Sequence, residues 1–238
     1  MLEIIFIIIK IKMSSPNPLI GDNVPSHILT LLDRLHAASL KQESTLTRAD
    51  FAEDVVHSNM KDKFIALEQD KCHFVYQLIR ATNAKFVVEA GTSFGVSTIY
   101  MALAVAANCR ATGGKGKVIA TEHEPEKAKE ARKYWSECGD IITNIIELRE
   151  GDLRETLKEE LDTVDFLLLD IWTPMILPTL KLVQPKMKSG AVIIADNTIN
   201  SAAGYKDMFE HVRAPDSGFT NLTLPYHNGL EMIVYSPK

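Results

Sequence analysis

The stretch Phe86-Val-Val-Glu-Ala-Gly-Thr-Ser-Phe-Gly-Val-Ser-Thr98 decides the fold of this chain. A short apolar run ends at the acid Glu89, a turn with two glycines follows, and a helical pattern begins after the second glycine. This order predicts the strand, turn and helix with which α/β folds present a nucleotide-like ligand at the carboxyl edge of their sheet. The plainer alternative is a β-turn-α unit whose glycine only permits close packing.

The spacing of the glycines separates two classes of nucleotide ligand. The turn contains Gly91 and Gly95 but lacks the three glycines of G-x-G-x-x-G, and Glu89 stands two residues before the first of them. A pyrophosphate favours backbone N–H groups without a negative charge nearby. An acid at this place instead suits a ligand that carries a positive amino group, such as S-adenosylmethionine.

Strand and helix patterns alternate from Phe86 onward. The apolar runs predict strands at 86–90, 117–121, 145–149, 165–169, 191–195, 219–224 and 230–235, and helices near 95–108, 124–138, 152–160, 174–184 and 204–213. Short, continuously apolar strands are typical of a parallel sheet that is covered on both faces. The five-residue loop with Asn-Gly before the last strand predicts an antiparallel hairpin. The predicted fold is therefore α/β, a doubly wound, Rossmann-like sheet of seven strands with a C-terminal antiparallel hairpin.

The first third of the chain has helical periodicity and no strand-like alternation. We therefore predict three parts: a peripheral extension, a helical cap and a cofactor-binding core, over residues 1–12, 13–84 and 85–238 respectively. The cap is predicted to contain helices over 25–42, 50–58 and 68–82. Met13 looks like a more natural start than Met1, and the alternative for the apolar run before it is an interfacial anchor.

Composition limits the classes of partner. The net charge is −5 and no block of Lys and Arg stands out, so the electrostatic footprint of nucleic-acid binding is missing. The apolar run 4–9 is too short to span a bilayer, which takes about 20 residues. Cys72, Cys109 and Cys138 are widely spaced and odd in number, which favours reduced thiols in a cytoplasmic protein. We expect a small-molecule partner, without nucleic acid or membrane.

Acids also end the second and third predicted strands. Glu122, followed by His123, is placed to accept both hydroxyls of a ribose, as the acid of a dinucleotide fold does. Gly151-Asp152 ends the next strand, and Asp152 could accept a hydrogen bond from an adenine amino group. The alternative for Asp152 is the N-cap of the following helix.

The fourth and fifth predicted strands end in three hard oxygen donors. Asp170 follows one strand, and Asp196-Asn197 end the other. If the strands are neighbours, their tips lie about 4.8 Å apart, and Mg²⁺ favours such oxygen ligands. A bound metal would lower the pKa of a phenol and orient its oxygen. The alternative is that Asp170 caps a helix and Asp196-Asn197 form a turn.

From about Lys61 to its end, the chain resembles the small-molecule O-methyltransferases related to catechol and caffeoyl-CoA O-methyltransferases. The segments that carry the resemblance are Glu89-Ala-Gly-Thr-Ser-Phe-Gly-Val-Ser97, Glu122, Gly151-Asp152, Asp170-Ile-Trp172 and Ala195-Asp-Asn197. The resemblance implies methyl transfer from S-adenosylmethionine to a hydroxyl of a small, catechol-like acceptor, assisted by a divalent cation, usually Mg²⁺. Dimerisation is common in this family, so a homodimer is an expectation.

The resemblance also implies a set of site residues. Catalysis and metal binding fall to Asp170, Asp196 and Asn197. Cofactor binding is expected from Glu89, Gly91, Thr92, Ser93, Gly95, Ser97, Glu122, His123, Gly151, Asp152, Asp170 and Trp172.

One position departs from the family. The catechol enzymes have a lysine, the general base, directly after the tryptophan of the Asp-x-Trp segment, where this chain has Thr173. Threonine cannot take up a proton at neutral pH. Either the metal alone acidifies the acceptor, or the protein binds the cofactor with weak or no turnover, or another residue replaces the lysine. The candidates for that replacement are Tyr205, Lys206, His211 and His227.

Overall fold

The computed structural model describes residues 16–47, 50 and 59–238. The predicted extension 1–12 and nearly all of the predicted helix 50–58 lie outside these residues. Seven strands form one sheet: β1 Phe86–Ala90, β2 Lys117–Glu122, β3 Ile146–Glu150, β4 Val164–Leu169, β5 Met187–Asp196, β6 Phe219–Leu224 and β7 Leu230–Tyr235. Their order is β3-β2-β1-β4-β5-β7-β6, and β7 runs in the opposite direction to the other six strands. The predicted doubly wound α/β fold with a terminal hairpin is confirmed.

Helices cover both faces of the sheet. In the described residues they are α1 Pro18–Gly21, α2 Ser26–Glu43, α3 Gln69–Thr82, α4 Val96–Thr112, α5 Pro125–Cys138, α6 Asp140–Thr143, α7 Leu153–Thr156, α8 Thr173–Val183 and α9 Lys206–Arg213. None of these helices has both the length and the apolar character needed to cross a bilayer.

Alternate residues of the central strands point to opposite faces and build two hydrophobic cores. Val87 and Phe166 lie in one core with α2, α3 and α4, and Val88 and Leu167 lie in the other with α8 and α9. This division follows from the two-residue period of a strand. The N-terminal helices α2 and α3 thus pack in the same core as β1 and β4, and the division into cap and core domains stays a prediction.

Three predicted boundaries were wrong. The helix predicted near 95–108 continues to Thr112 as α4. The helix predicted over 152–160 ends at Thr156. The guanidinium of Arg149 donates hydrogen bonds to the carbonyl oxygens of Thr156 (2.9 Å) and Glu160 (3.0 Å), and these bonds hold the following residues in a non-helical conformation. Strand β5 begins at Met187 rather than at 191, because Met187 pairs with Val164 before the register shifts. The short helices α1 and α6 have no clear periodic signal.

Candidate functional site

The candidate site lies at the carboxyl ends of the parallel strands. The last residue of β1, Ala90, is level with Thr121 of β2 on one side and with Leu169 of β4 on the other. The chain continues from β1 to β2 in one direction and later to β4 in the other, so this is the point at which the sheet order reverses. In open α/β sheets, ligands bind in the crevice at that point.

The side chain of Glu89 holds the glycine-containing turn and the start of α4 by hydrogen bonds. The side chain is completely buried, and its oxygens accept hydrogen bonds from the hydroxyls of Thr92 (2.7 Å), Ser97 (2.5 Å) and Thr98 (2.5 Å). Burial raises the pKa of Glu89 to about 7, although the three hydroxyls act in the opposite direction. Thr92 and Ser97, predicted to bind cofactor, therefore join the turn to the start of α4 through Glu89. A ligand in the crevice would reach this carboxylate only through the turn.

The two glycines of the turn permit different close contacts. At Gly91 (φ +88°) a Cβ would lie 2.2 Å from the carbonyl oxygen of Asp170, so the backbones after β1 and β4 touch. At Gly95 (φ +79°) a Cβ would lie 2.5 Å from Nε1 of Trp135, which donates to the Gly95 carbonyl (3.0 Å). The packing alternative therefore fits both glycines.

Glu122 lies beside this turn at the tip of β2. Its oxygens accept hydrogen bonds from the backbone N–H groups of Ser93 (2.7 Å) and Glu124 (2.8 Å). Ser93 has a left-handed backbone (φ +48°), which turns its N–H towards Glu122. Each carboxylate oxygen can accept more than one hydrogen bond, so Glu122 keeps acceptor capacity for a ligand hydroxyl.

Asp152, the acid that follows β3, has different hydrogen-bond partners. Asp152 caps α7 by accepting from the N–H of Arg154 (2.9 Å) and also pairs with its guanidinium (2.6 Å). These hydrogen bonds lower the pKa of Asp152 to about 2. His123 is exposed nearby, and Gly151 donates its N–H to the carbonyl of Glu122 (2.9 Å), which fixes the tips of β2 and β3 together. The N-cap alternative for Asp152 is present, and contact with adenine stays a prediction.

Asp170 and Asp196 end neighbouring strands, as predicted. Leu169 of β4 is level with Ala195 of β5, so the two aspartates follow paired residues. Burial raises the pKa of Asp170 well above its usual range, and the nearby Asp196 carboxylate adds to this effect. Burial also raises the pKa of Asp196, to about 6. Asn197 follows in a left-handed conformation (φ +58°).

A buried lysine from the cap reaches these acids. The ammonium of Lys71 on α3 lies 2.5 Å from Oδ1 of Asp196 and 2.8 Å from Oε2 of Glu68, and its side chain has no exposed surface. Burial alone would lower the pKa of Lys71, but Asp196 and Glu68 together raise it above its ordinary value. This ion pair attaches α3 to the tip of β5.

The side-chain oxygens of Asp170, Asp196 and Asn197 are ligands of the kind that a hard cation prefers. Within the described residues, no three His, Cys, Asp or Glu side chains form a group able to hold a metal ion. A divalent cation would therefore need the amide oxygen of Asn197 beside the two aspartates. Because Lys71 binds Oδ1 of Asp196, Oδ2 is the oxygen that this residue could offer. Two carboxylates and an amide, completed by water, satisfy the preferences of Mg²⁺.

Trp172 lies at the mouth of the crevice, as the residue before α8. It is 39% exposed and therefore does not belong to the hydrophobic core. An exposed indole beside Asp170 provides a flat apolar surface for a cofactor or an aromatic acceptor.

The position of the missing lysine is partly exposed. Thr173 is the first residue of α8, and a Cβ on Gly204 would lie 2.2 Å from its hydroxyl oxygen. The loop before α9 thus contacts Thr173 closely on one side. Thr173 and Gly204 also line a cavity of about 250 Å³ between α8 and the start of α9.

The four candidate replacements for the lysine lie in different surroundings. Lys206 is exposed and faces Glu210 (3.9 Å), and His211 contacts Gln184 (3.0 Å). Tyr205 is buried and donates to the carbonyl of Asp196 (2.5 Å), and burial raises its pKa far above its ordinary value. His227 is exposed and its Nδ1 lies 3.3 Å from Oε1 of Glu68.

Lys71 and Glu68 were missed by sequence reasoning. One signal was available, because Lys71 shares a helix face with Val75 and Ile79 at intervals of four residues, and both of these are buried. A lysine on an apolar helix face needs a buried acid as a partner. The identity of that partner, Asp196, could not be read from the helix.

Comparison with known proteins gives the same family. Residues 88–198 match the sequence model of a family described as a methyltransferase domain. The Dictyostelium discoideum protein named probable caffeoyl-CoA O-methyltransferase 2 is 26% identical over 146 residues, which are 59% of this chain and 59% of that protein. A catechol O-methyltransferase of Niastella koreensis is 27% identical over 139 residues, 57% of this chain and 59% of that protein. The match therefore spans about three-fifths of these relatives.

Solved structures extend the likeness to the whole fold. A crystal structure of an O-methyltransferase from Bacillus cereus in complex with SAH superposes with a TM-score of 0.65 at 18% identity, over 92% of this chain and 96% of that one. At this identity the likeness concerns the fold. The expected resemblance to O-methyltransferases is confirmed.

Proposed function

We propose that the protein transfers a methyl group from S-adenosylmethionine to a hydroxyl of a small aromatic molecule, because residues 88–198 match the model of a methyltransferase-domain family. The observation that carries the proposal is the arrangement of acids around the crevice. Glu122 lies on the β2 side, and Asp170 and Asp196 lie on the β4 and β5 side. One side suits the ribose of the cofactor, and the other suits a polar acceptor.

On the cofactor side, the carboxylate of Glu122 would accept the two ribose hydroxyls, since it already faces the turn after β1. Asp152 and His123 would border the adenine. The exposed face of Trp172 and the backbone at Gly91 would border the methionine part, where close approach requires a residue without a side chain. In its ionised form, Asp170 would stabilise the sulfonium and ammonium charges of this cofactor.

On the acceptor side, the reaction is an in-line displacement. The acceptor oxygen forms a bond to the methyl carbon as the bond from carbon to sulfur breaks, and the hydroxyl proton passes to a base. Asp170, Asp196 and Asn197 would hold a divalent cation, which when bound acidifies and orients an acceptor hydroxyl. The remaining rate gain would come from the fixed geometry of the crevice. Mg²⁺ is the cation that we propose.

A second candidate is a protein that binds S-adenosylmethionine with weak or no turnover. The observation in its favour is Thr173, which provides no base where the family has its lysine. Binding and turnover must therefore be measured separately. A cytoplasmic location, a homodimer and the absence of nucleic-acid and membrane partners remain predictions.

Calorimetric titration with S-adenosylmethionine tests cofactor binding. Glu122→Gln should weaken affinity about 10- to 100-fold, because hydrogen bonds to a charged acceptor contribute about 1.5–3 kcal/mol. Glu126→Gln is the matched control, since Glu126 lies on the same side of the molecule and is 89% exposed. Equal affinity of the two variants would contradict the placement of the ribose at Glu122. Failure of the wild-type protein to bind would contradict the proposed function.

A further inference from the structure

Transfer to a hydroxyl requires a group that takes up the hydroxyl proton, and Thr173 cannot do so. This question rests on the proposed function, because it arises only if the acceptor is a hydroxyl. Of the four candidates, Tyr205 is buried and donates its own proton to the Asp196 carbonyl, while Lys206 and His211 face partners on the α8 and α9 side. His227 differs from them because it is exposed and is also linked by polar contacts to Asp196 at the end of β5.

Three consecutive polar contacts connect His227 to the tip of β5. Nδ1 of the imidazole lies 3.3 Å from Oε1 of Glu68, and the other oxygen of Glu68 lies 2.8 Å from the ammonium of Lys71. That ammonium lies 2.5 Å from Asp196. The exposed histidine and the buried aspartate thus belong to one charged chain that runs through the N-terminal end of α3.

The loop that carries His227 is fixed above the same edge of the sheet. The carbonyl of Asn228 accepts hydrogen bonds from the N–H groups of Ile199 (2.9 Å) and Asn200 (3.1 Å), two and three residues after Asn197. Gly229 packs against Ile199, where a Cβ would lie 2.5 Å from its side chain. His227, 79% exposed in its side chain, is therefore placed at the rim of the crevice next to the predicted acceptor side.

We propose that His227 is the general base that replaces the missing lysine. Glu68 holds the proton on Nδ1, which leaves the lone pair of Nε2 free to accept a proton. As the acceptor oxygen bonds to the methyl carbon and the sulfonium becomes a neutral thioether, the hydroxyl proton moves to Nε2. The imidazolium so formed is stabilised by the Glu68 carboxylate and returns its proton to water.

The charged surroundings of His227 are simple. Glu68 faces it directly, and Lys71 lies behind Glu68, both contributed by the start of α3. The segment packed against its loop provides Ile199 and Asn200, which do not titrate. Asp70, also on α3, acts on the neighbouring Tyr226. Glu68 is the carboxylate in contact with the imidazole, the arrangement that orients a histidine base.

The test compares wild type with His227→Ala on catechols of rising acidity, from catechol to 4-nitrocatechol. General bases contribute about 100-fold or more, so we expect a loss of about 100-fold in kcat/KM on catechol and a much smaller loss on 4-nitrocatechol, which ionises without help. Added imidazole should restore part of the rate on catechol. His27→Gln on exposed α2 is the control and should match wild type.

The outcomes are distinct. A loss that is the same for all acceptors, or no loss, would overturn the role of His227. No product with wild type on any acceptor would instead contradict the proposed function, and this inference with it. The contact between His227 and Glu68 can also be tested without turnover. ¹⁵N NMR should show neutral His227 with its proton on Nδ1, and Glu68→Gln should shift the imidazole ¹⁵N signal. A neutral His227 protonated on Nε2 would overturn the proposal.

Discussion

Gly204 lies against Thr173 so closely that a Cβ on the glycine would be 2.2 Å from the threonine hydroxyl oxygen and 2.5 Å from its Cβ. The loop before α9 and the first residue of α8 are therefore fitted to each other. The departure from the family at residue 173 is not an isolated change of side chain. The threonine side chain makes a close contact with the exposed loop before α9.

We predict that Gly204→Ala lowers the free energy of unfolding by about 1–3 kcal/mol, the usual cost of overpacking. Urea denaturation measures the change. Gly21→Ala is the control, because nothing lies within 4 Å of its Cβ position, and it should leave stability equal or slightly higher. Equal stability of Gly204→Ala and wild type would show that the loop yields freely and that the close fit of Gly204 to Thr173 does not matter for stability.

Lys71→Met should be strongly destabilising. Removing one partner of a buried ion pair costs about 3–5 kcal/mol, because the other charge is left without compensation. Here both Asp196 and Glu68 would lose their partner. Lys206→Met, in which the lost lysine is 73% exposed, should change stability by less than about 1 kcal/mol.

A double-mutant cycle checks the cause. Adding Asp196→Asn to Lys71→Met should recover part of the lost stability, because the uncompensated carboxylate is gone. If the two effects simply add, the ion pair does not contribute in the way described.

Glu89 should make stability depend on pH. Its pKa is raised by burial to about 7 in the folded protein from 4.5 in the unfolded chain, so the folded state favours the protonated acid. The resulting stabilisation is fully present below pH 4.5 and is lost as pH rises through about 7, a total of about 3 kcal/mol. Urea titrations at pH 4.5 and pH 8 should therefore show that wild type loses stability relative to Glu89→Gln as pH rises. A difference that stays constant would contradict this account.

The strands and the acids at their tips could be predicted from sequence because each strand is a short apolar run that ends at a polar residue. Parallel strands place such ends at one edge, so Glu122, Asp170 and Asp196 come together once the order of strands is known. A contact between Glu89 and a ligand stays a prediction. Glu89 is two residues after Val87, which packs with α4 on one face of β1. Because the side chains of a strand alternate between its two faces, the Glu89 side chain points to the same face, beneath the turn.

Lys71 could not be predicted in the same way. Its partner Asp196 is 125 residues away in sequence, and a helical lysine usually lies in solvent. Similarly, the closeness of Gly204 to Thr173 and of His227 to Glu68 depends on how loops fold back over the sheet. Such contacts between distant segments have no periodic signal, and loops carry much of the function of α/β proteins.

Methyl transfer from labelled S-adenosylmethionine to vicinal dihydroxy-aromatics, with Mg²⁺ and with EDTA, tests the central claim most directly. We predict labelled product with Mg²⁺ and its loss with EDTA, since Asp170, Asp196 and Asn197 are proposed to hold the cation. Product that survives EDTA would contradict the role of the metal and leave these residues to bind the acceptor directly. No product in either condition, from protein that binds the cofactor, would contradict the claim that the chain is an O-methyltransferase of such acceptors.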